Sequence, residues 1–507
     1  MASPLLPLKP HLGSLDLESL SPTTSAASSL QPSRKRPSRA QPTTIDPDQR
    51  SGHIATRRQE IQRQYRLFWS TILAYTGQLF IVLSIAEMSS MVPLGGGQYR
   101  FVSAFAPPKF ERMLSYITGW ICSVGWQTRF TAHCYIIANM GQALIDLQAR
   151  PTGTGTWFFH LTVIAVAILL SCFNAFAAGH LSIAEGVFAI CHVFVLVPIL
   201  ASLWVLADKG DFHYIFFKLT DNGGGWPYTG LSACVGQLTS MFIMLGSDAM
   251  VYISEEVEEA EFIVPSSMVW SYVANLPMTF ALLVTYIYNV GDLREVVRSP
   301  HPLVHVFETM LDSRNATMAF SVIVMGLLIM IAVSTMVATS RHLFSFGRDR
   351  ALLFAPFISH VHPSLKVPLN AILLTLFTTS IISLCTMGTV STLHTILGLS
   401  TSCFMASYSV SIGCLIRKRW IGEELPTCRW SLGRAGLWVN VLGWMYAVWA
   451  LFWSFWPTRY AIQPSNANWA IVFFGWTVVA ASALFLGAAR RERMGRRGTM
   501  GRRGKSI

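Results

Sequence analysis

One apolar stretch, residues 367–416, constrains the fold most, because it holds 50 residues without a single Asp, Glu, Lys or Arg. A helix that crosses a bilayer needs about 20 apolar residues, so this stretch is long enough for two crossings with a turn near residues 388–391. The chain as a whole is only 13% charged, about half the fraction typical of a soluble domain. These features exclude an ordinary soluble enzyme and predict a membrane protein.

Nine further windows of 20 to 33 residues carry at most one charge each. Together with the two crossings above, they bring the predicted number of membrane spans to eleven. Backbone groups in lipid must pair within their own segment, so every span is predicted to be helical. The predicted fold class is therefore an all-α polytopic membrane protein. The nine windows are 67–86, 113–145, 157–178, 186–207, 232–253, 268–290, 318–340, 437–456 and 468–488.

The two ends of the chain differ in composition from the middle. Residues 1–66 are rich in Ser, Pro, Thr and Arg, which predicts a disordered basic tail without the apolar core of a signal peptide. Residues 490–507 form a second, short basic tail that is predicted to be cytoplasmic. The predicted organisation is thus an N-terminal tail, a transmembrane transporter domain over residues 67–489, and the C-terminal tail.

The distribution of basic residues predicts an orientation. Alternate loops, taken together with the C-terminal tail, hold 20 Lys and Arg, whereas the opposite loops hold 7, so the first set is predicted to be cytoplasmic. Eleven spans would then place the N-terminal tail outside, although that tail carries ten basic residues. Either one crossing is missing from the front of the chain, or this long tail obeys the rule poorly.

Three groups of residues carry a resemblance to a known family. They are residues 86–93 with 95–99, residues 114–120 with 125–127, and residues 245–249 with 254–257 and 264–265. In order and spacing they resemble the fungal amino acid/choline permeases, including GABA and choline permeases, of the amino acid–polyamine–organocation superfamily, from about residue 73 to 489. The motifs are specific to the family and nearly silent on substrate.

The resemblance implies twelve helices, of which the first ten form two inverted five-helix repeats with the substrate at mid-membrane between them. The family's first and sixth helices are broken at that point. The span at residues 67–92 is similar to the family's second helix, and the span at 232–253 is similar to its sixth. The family's first helix has no counterpart in this sequence, in agreement with the orientation conflict.

Within the fifth span, Gly246, Ser247 and Asp248 are the first candidate substrate-binding residues. Glycine permits a break, the end of a half-helix offers free backbone groups, and a carboxylate there could hold an ammonium group or a proton. The alternative is that Gly246 only packs against a neighbouring helix and that Asp248 merely reaches the cytoplasmic side.

The second span contributes Trp126, Gln127 and Arg129, and the seventh contributes Ser334 and Thr335. A buried Arg is costly and normally needs a partner. Arg129 could bind an anionic group of the substrate, pair with an acid such as Asp248, or mark a degenerate copy of the family. The other four side chains could line a path or simply hold helices together.

A gate or cytoplasmic-loop role is predicted for Glu87 and for the glycines that follow it, Gly95, Gly96 and Gly97, with a plain interfacial helix end as the alternative for Glu87. No catalytic set, metal-ligand spacing or phosphate-binding motif occurs in the sequence, so neither a cofactor nor an enzymatic activity is predicted.

The predicted function is secondary active transport of an amino acid or small amine such as GABA or choline, with proton coupling implied by the resemblance. The expected partners are that small molecule, the lipid bilayer and possible protons, with no nucleic acid. The plasma membrane is favoured over the vacuole or other internal membranes. The alternative is a truncated or degenerate permease homologue without transport activity that acts as a regulatory or non-functional membrane protein.

Overall fold

The computed structural model describes residues 47–148, 156–206, 226–289, 296, 299, 301–387, 392–457, 459–460 and 467–503. Every regular element in these ranges is helical. Internal contacts divide the chain into Met1–Ser51 and Gly52–Ile507, and the described part of the first unit is the opening of helix α1.

The α-helices are α1 (Pro47–Met91), α2 (Gln98–Phe105), α3 (Glu111–Gln148), α4 (Thr156–Phe176), α5 (Leu181–Leu206), α6 (Thr229–Val235), α7 (Leu238–Met244), α8 (Ala249–Tyr252), α9 (Ala260–Asn289), α10 (Pro302–Leu311), α11 (Arg314–Arg348), α12 (Ala355–Ile358), α13 (Leu369–Cys385), α14 (Thr392–Ile421), α15 (Gly436–Ser454) and α16 (Ala470–Arg503). Short 3-10 turns cover Ala178–His180, Ser254–Glu256 and Gly433–Ala435.

The predicted all-α polytopic fold is confirmed. In the described residues, eight helices are long and apolar enough to cross a bilayer, and Gly230–Met244 and Leu369–Cys385 are shorter apolar stretches. The 38-residue α3 adds a further long helix, which carries Arg129. Each of the eleven predicted windows falls on one of these segments. The turn expected near residues 388–391 lies outside the described residues.

Helix α1 begins earlier than the sequence predicts. It starts at Pro47, whereas the predicted span begins at residue 67. Residues 47–66 contain few helix breakers and many Gln and Arg residues, which favour helix even where they are too polar for lipid. The rest of the predicted N-terminal tail, residues 1–46, lies outside the described residues.

The outer faces of several helices are apolar and uncovered, as a lipid-facing surface requires. In the apolar windows of α5 and α16, only 11% of the residues are buried. Phe194 on α5 is 73% exposed and Trp476 on α16 is 71% exposed. Water would strongly disfavour so continuous an apolar surface, whereas acyl chains accept it.

Helix α3 lies at the centre of the bundle and contacts α2, α4, α11, α13, α14 and α16. It approaches α14 closely at Gly125, where an added Cβ would stand 3.1 Å from the Cβ of Cys403. Helix α1 packs against α15 in the same way, since a Cβ on Gly443 would stand 3.0 Å from the carbonyl oxygen of Phe80. Small residues at such crossings allow backbones in lipid to pack tightly.

Candidate functional site

The fifth predicted span is interrupted at residues 245–248, between α7 and α8. Helix α7 ends at Met244, Leu245 is extended with φ −74° and ψ 159°, and Gly246 has φ +105°. That value is strained for any residue with a Cβ, which explains why glycine occupies the position. The interruption leaves the last carbonyl groups of α7 without partners inside their own helix.

Arg129 reaches this interruption from the middle of α3. Its side chain is buried, and its guanidinium donates hydrogen bonds to the carbonyl oxygens of Leu245, at 2.6 Å, and Phe242, at 3.1 Å. The guanidinium also lies 5.0 Å from the centre of the Phe242 ring. A cation at the C-terminal end of a helix is favoured by the helix dipole, so Arg129 stabilises the broken end of α7. We call the interruption at residues 245–248 the α7–α8 break.

Asp248 occupies the other side of the α7–α8 break, immediately before α8. It is 1% exposed, and its Oδ2 accepts a hydrogen bond of 2.7 Å from the Gln98 side chain. Its Oδ1 is buried and makes no hydrogen bond of complete geometry in the described part of the chain, where the Tyr408 hydroxyl is the polar group beside the carboxylate. Arg129 is within electrostatic range of this carboxylate but makes no direct ion pair with it among the described residues. The Arg129 guanidinium and the Asp248 carboxyl group therefore lie close together without direct contact.

Gln98 is positioned by the glycine loop that the sequence singles out. Gly96 and Gly97 both have positive φ, +135° and +68°, and a Cβ on Gly97 would stand 2.7 Å from the Tyr252 ring. The Tyr252 hydroxyl donates a 2.5 Å hydrogen bond to Gln98 Oε1, which orients the amide nitrogen towards Asp248. The glycines thus let the loop approach α8 closely enough to hold the carboxylate.

Trp126 belongs to the same buried cluster. Its ring is 1% exposed and meets the rings of Tyr252, at 5.3 Å, and Phe404, at 5.0 Å, edge to face. The phenol of Tyr408, one turn along α14, lies beside the Asp248 carboxylate. Trp126 and Arg129 are three residues apart on α3 and so face the α7–α8 break together.

Thr335 lies near the α7 end of the break, next to His133. Its hydroxyl is 3.1 Å from His133 Nδ1, and the His133 ring lies 5.9 Å from the Phe242 ring. His133 is one turn after Arg129 on α3, so the two side chains share a face. Ser334, in contrast, points to α5, where its hydroxyl donates to Glu185 at 3.1 Å. The structure therefore brings Thr335 close to the candidate site and leaves Ser334 outside it.

Gln127 faces away from the break. Its amide nitrogen donates to the Thr375 hydroxyl on α13 at 3.1 Å. It lines a separate cavity of about 940 Å³ whose walls do not include Arg129 or Asp248. The three predicted residues of α3 therefore divide between two faces of the helix.

Glu87 lies at the end of α1, apart from the break. It is fully buried and pairs with Arg419 at the end of α14, with 2.6 Å between Glu87 Oε2 and the guanidinium. Its Oε1 also accepts hydrogen bonds from the Ser431 hydroxyl and the Leu432 amide. Glu87 thus joins α1 to α14 and to the segment before α15.

Ion pairs join the acidic segment after α8 to the end of α11. Arg348 binds Glu255 at 2.6 Å and Arg341 binds Glu256 at 2.7 Å. The hydrogen bond from Arg348 lowers the pKa of the Glu255 carboxyl, with partial burial acting against it. Gly95 packs on Glu255, since a Cβ there would stand 3.2 Å from the carboxylate. These contacts hold the segment that follows α8 against α11 and the glycine loop.

Four residues of the cluster were not among the predicted site residues: Gln98, His133, Tyr252 and Tyr408. Gln98 directly follows the glycine loop, which was a usable signal, because the loop was already singled out. No His, Cys, Asp and Glu side chains form a group able to hold a metal ion in the part of the chain that the structure describes.

Comparison with known proteins gives one family. The family model described as "Amino acid permease" matches residues 63–479. A putative amino acid/polyamine transporter of Macrophomina phaseolina is 28% identical, over 80% of this chain and 90% of its own length. An amino-acid permease of Neurospora crassa is 24% identical, over 82% and 76%. The choline transporter of Saccharomyces cerevisiae is 21% identical, over 81% and 73%.

Proposed function

The chain belongs to the amino acid permease family and is a multi-pass membrane transporter of a small molecule, not an enzyme, and from this premise we propose that it carries a zwitterionic amino acid bound at the α7–α8 break. The observation that carries the proposal is the pair of buried opposite charges, Arg129 and Asp248, on the two sides of one broken helix. In this proposal Gly246 and Ser247 lie next to the substrate, with Trp126 and Thr335 around it.

The substrate carboxylate binds Arg129 in this proposal. A guanidinium carries five N–H donors in a planar fork that matches a carboxylate. In the structure two of its nitrogens donate to the carbonyl groups of α7, which are neutral acceptors. A carboxylate is a stronger acceptor than a carbonyl, so an entering anionic group competes well for this cation.

The substrate ammonium group binds Asp248. Its Oδ1 is buried and makes no hydrogen bond of complete geometry among the described residues, and a buried carboxylate oxygen is costly until a donor satisfies it. Choline has a positive charge but no carboxylate, so it could pair with Asp248 but would bring no counter-charge to Arg129, whose repulsion would weaken its binding. The site therefore favours amino acids, GABA among them, over choline.

Proton coupling is part of the proposal. With no substrate bound, Asp248 keeps a buried oxygen that makes no hydrogen bond of complete geometry among the described residues, and a proton is the smallest cation that satisfies it. Binding of the substrate ammonium and binding of the proton then alternate at the same carboxylate.

We also propose the plasma membrane as the location, residues 67–489 as the transport domain, and Gly95–Gly97 with Glu255 as the cytoplasmic closure.

Uptake by a permease-deficient fungal strain tests this function. The strain expresses the full chain and is offered radiolabelled amino acids, GABA, the corresponding decarboxylated amines, and choline, with a fluorescent fusion to report the membrane reached. Saturable uptake of one or more amino acids is the expected result, and raising the external pH is expected to increase it, because proton and substrate exclude each other at Asp248.

A matched control separates transport from folding. Phe194→Ala alters only the lipid-facing surface of α5 and is expected to transport as the wild type does, whereas Asp248→Asn is expected to lose uptake. Absence of uptake of every compound, with the wild-type protein folded and present in the plasma membrane, would favour a homologue without transport activity. Uptake of choline and amines in preference to amino acids would overturn the assignment of Arg129.

A further inference from the structure

Three consecutive residues at the start of α2 contact two distant parts of the molecule. Gln98 is fully buried and donates a hydrogen bond of 2.7 Å to Asp248 Oδ2 at the α7–α8 break. Tyr99 and Arg100 instead reach Asp349, the residue that follows α11. The Tyr99 hydroxyl donates to Asp349 Oδ2 at 2.8 Å, and the Arg100 guanidinium pairs with Oδ1 at 2.6 Å. One helical turn therefore joins the carboxyl group at the break to the end of α11.

Asp349 is the C-terminal cap of α11. Its amide donates to the Ser345 carbonyl at 3.1 Å. The ring of Tyr99 also packs on the ring of Phe346, with 5.1 Å between the two centroids. Aromatic pairs at this separation are attractive beyond the area that they bury. A displacement of the Tyr99 side chain would therefore loosen the last turn of α11.

The first turn of α2 is held too firmly to absorb such a displacement. The glycine loop is folded directly over Tyr99, since a Cβ on Gly96 would stand 2.7 Å from the Tyr99 hydroxyl oxygen. The Tyr99 carbonyl accepts a hydrogen bond of 2.8 Å from Ser115 Oγ on α3. Helix α2 as a whole packs along α3 and α14. Closely packed groups transmit strain to one another, so Gln98 and Tyr99 move together.

The Gln98 amide has one orientation in this arrangement. The Tyr252 hydroxyl donates to its Oε1 at 2.5 Å, so its Nε2 faces Asp248. An N–H donates a stronger hydrogen bond to an ionised carboxylate than to a neutral carboxyl group. The strength of the link from α2 to the break therefore depends on the charge of Asp248, which a bound ammonium group offsets and a proton removes.

A second connection runs between the same regions without Gln98. Glu255, in the turn after α8, pairs with Arg348 on α11 at 2.6 Å, and the two side chains are 36% and 41% exposed. Ion pairs with this exposure contribute little to stability. The hydrogen bond of Gln98 is buried, and it alone of the two connections involves the Asp248 carboxyl group. It is therefore the contact that can respond to the state of Asp248.

We propose that Gln98 is a positioning residue that links the Asp248 carboxyl group to the last turn of α11, so that the state of Asp248 sets how firmly this end of the bundle is closed. An empty, ionised carboxylate holds the link tightly, and an ammonium group or a proton at Asp248 loosens it. By linkage, loosening of the last turn of α11 favours the occupied site in return. The part played by the ammonium group rests on the proposed function, whereas the link itself does not.

Hydrogen–deuterium exchange of the purified full-length protein in nanodiscs tests the link without substrate. Asp248→Asn removes the charge but keeps the shape of the side chain, and it is expected to speed amide exchange at residues 345–351 about five-fold. Gln98→Met, which removes the donor, is expected to do the same. Asp248→Asn added to Gln98→Met is expected to have no further effect. Gln127→Met is the matched control, because it removes a buried amide that faces α13, and it is expected to leave this exchange unchanged.

Unchanged exchange at residues 345–351 in folded Asp248→Asn would overturn the proposal. A further increase of about five-fold in the double variant would also overturn it, since the effect would then pass through Glu255 and Arg348. If Gln98→Met does not fold, Asp349→Asn opens the link at its other end, and Asp248→Asn is again expected to have no further effect.

Substrate gives a second measurement. A saturating concentration of an amino acid that the wild type takes up is expected to speed exchange at residues 345–351, as Asp248→Asn does, and to leave Gln98→Met unaffected. If Asp248→Asn has its effect and the amino acid does not, the link stands and the proposed binding of the ammonium group at Asp248 is wrong. Absence of both effects overturns the link.

Discussion

Replacement of Arg129 by methionine probes the proposed recognition of the substrate carboxylate. The guanidinium donates two hydrogen bonds at the α7–α8 break, at 2.6 and 3.1 Å, and the same fork would donate two to a carboxylate. A hydrogen bond to a charged group contributes about 1.5–3 kcal/mol, so the loss of two costs at least about 3 kcal/mol. The concentration for half-maximal uptake of an amino acid is then expected to rise at least about 100-fold.

The decarboxylated amine is the internal reference for this variant. It carries the ammonium group that Asp248 binds but no carboxylate, so removal of Arg129 takes away only repulsion. We expect its uptake to change less than about ten-fold or to improve, so that the preference for the acid over the amine falls by at least about ten-fold.

Stability must be measured alongside uptake, because Arg129 also caps α7. Its removal leaves the carbonyl groups of Leu245 and Phe242 without these donors, at about 1–3 kcal/mol each. Uptake is therefore normalised to the folded protein recovered from the membrane. Arg129→Lys keeps the charge but loses the fork and is expected to be intermediate. An equal loss of uptake for acid and amine in folded Arg129→Met would refute carboxylate recognition by this residue.

Three further perturbations follow from the same contacts. Gly246→Ala places a Cβ at a residue with φ +105°, 2.9 Å from the Arg129 guanidinium. It should lower the free energy of unfolding by about 1–3 kcal/mol and abolish most of the uptake. The control Gly326→Ala, which has open space around its Cβ, should not lower the thermal unfolding temperature. Glu87→Ala removes the carboxylate that pairs with the largely buried Arg419 and should destabilise the protein by about 3–5 kcal/mol, measured by unfolding in detergent, with a smaller effect for Glu87→Gln. Equal stability of the wild type and both variants would contradict the ion pair. Arg348 lowers the pKa of Glu255, so the stabilising effect of this ion pair is present at neutral pH and is lost as the pH falls through the lowered pKa. The stability of Glu255→Gln should therefore fall less at acid pH than that of the wild type. The same dependence of stability on pH in both proteins would argue against the pair.

Most of the fold could be predicted from the sequence, because crossing a bilayer requires long apolar helices that stand out in any window of about 20 residues. The limits of the helices were less predictable. Helix α1 begins at Pro47, since a polar segment can continue a helix beyond the lipid. The eight-residue α2 was not predicted at all, because it is too short and too mixed in composition for a span.

The site was predictable where a backbone requirement marks it. Gly246 has positive φ, and Arg129 is the charge that lipid makes most costly, so both could be singled out. The face of each helix was not predictable. Gln127 and Arg129, like Ser334 and Thr335, are neighbours in sequence that point to different helices, and only the packing decides which one reaches the break.

Gln98 illustrates a further limit. Its partner Asp248 is 150 residues away, and no periodicity in one sequence links two positions at that separation. The glycine loop indicated a close approach of two backbones but not which side chain would be brought to the carboxylate. Long-range polar pairs of this kind become visible only once the helices are assembled.

An experimental structure with a transported amino acid bound tests the central claim most directly. We expect density at the α7–α8 break, with the substrate carboxylate within hydrogen-bond distance of the Arg129 guanidinium and the ammonium group at Asp248 Oδ1. Density elsewhere, with Arg129 still donating to the Leu245 carbonyl and no substrate group at Asp248 Oδ1, would contradict the account.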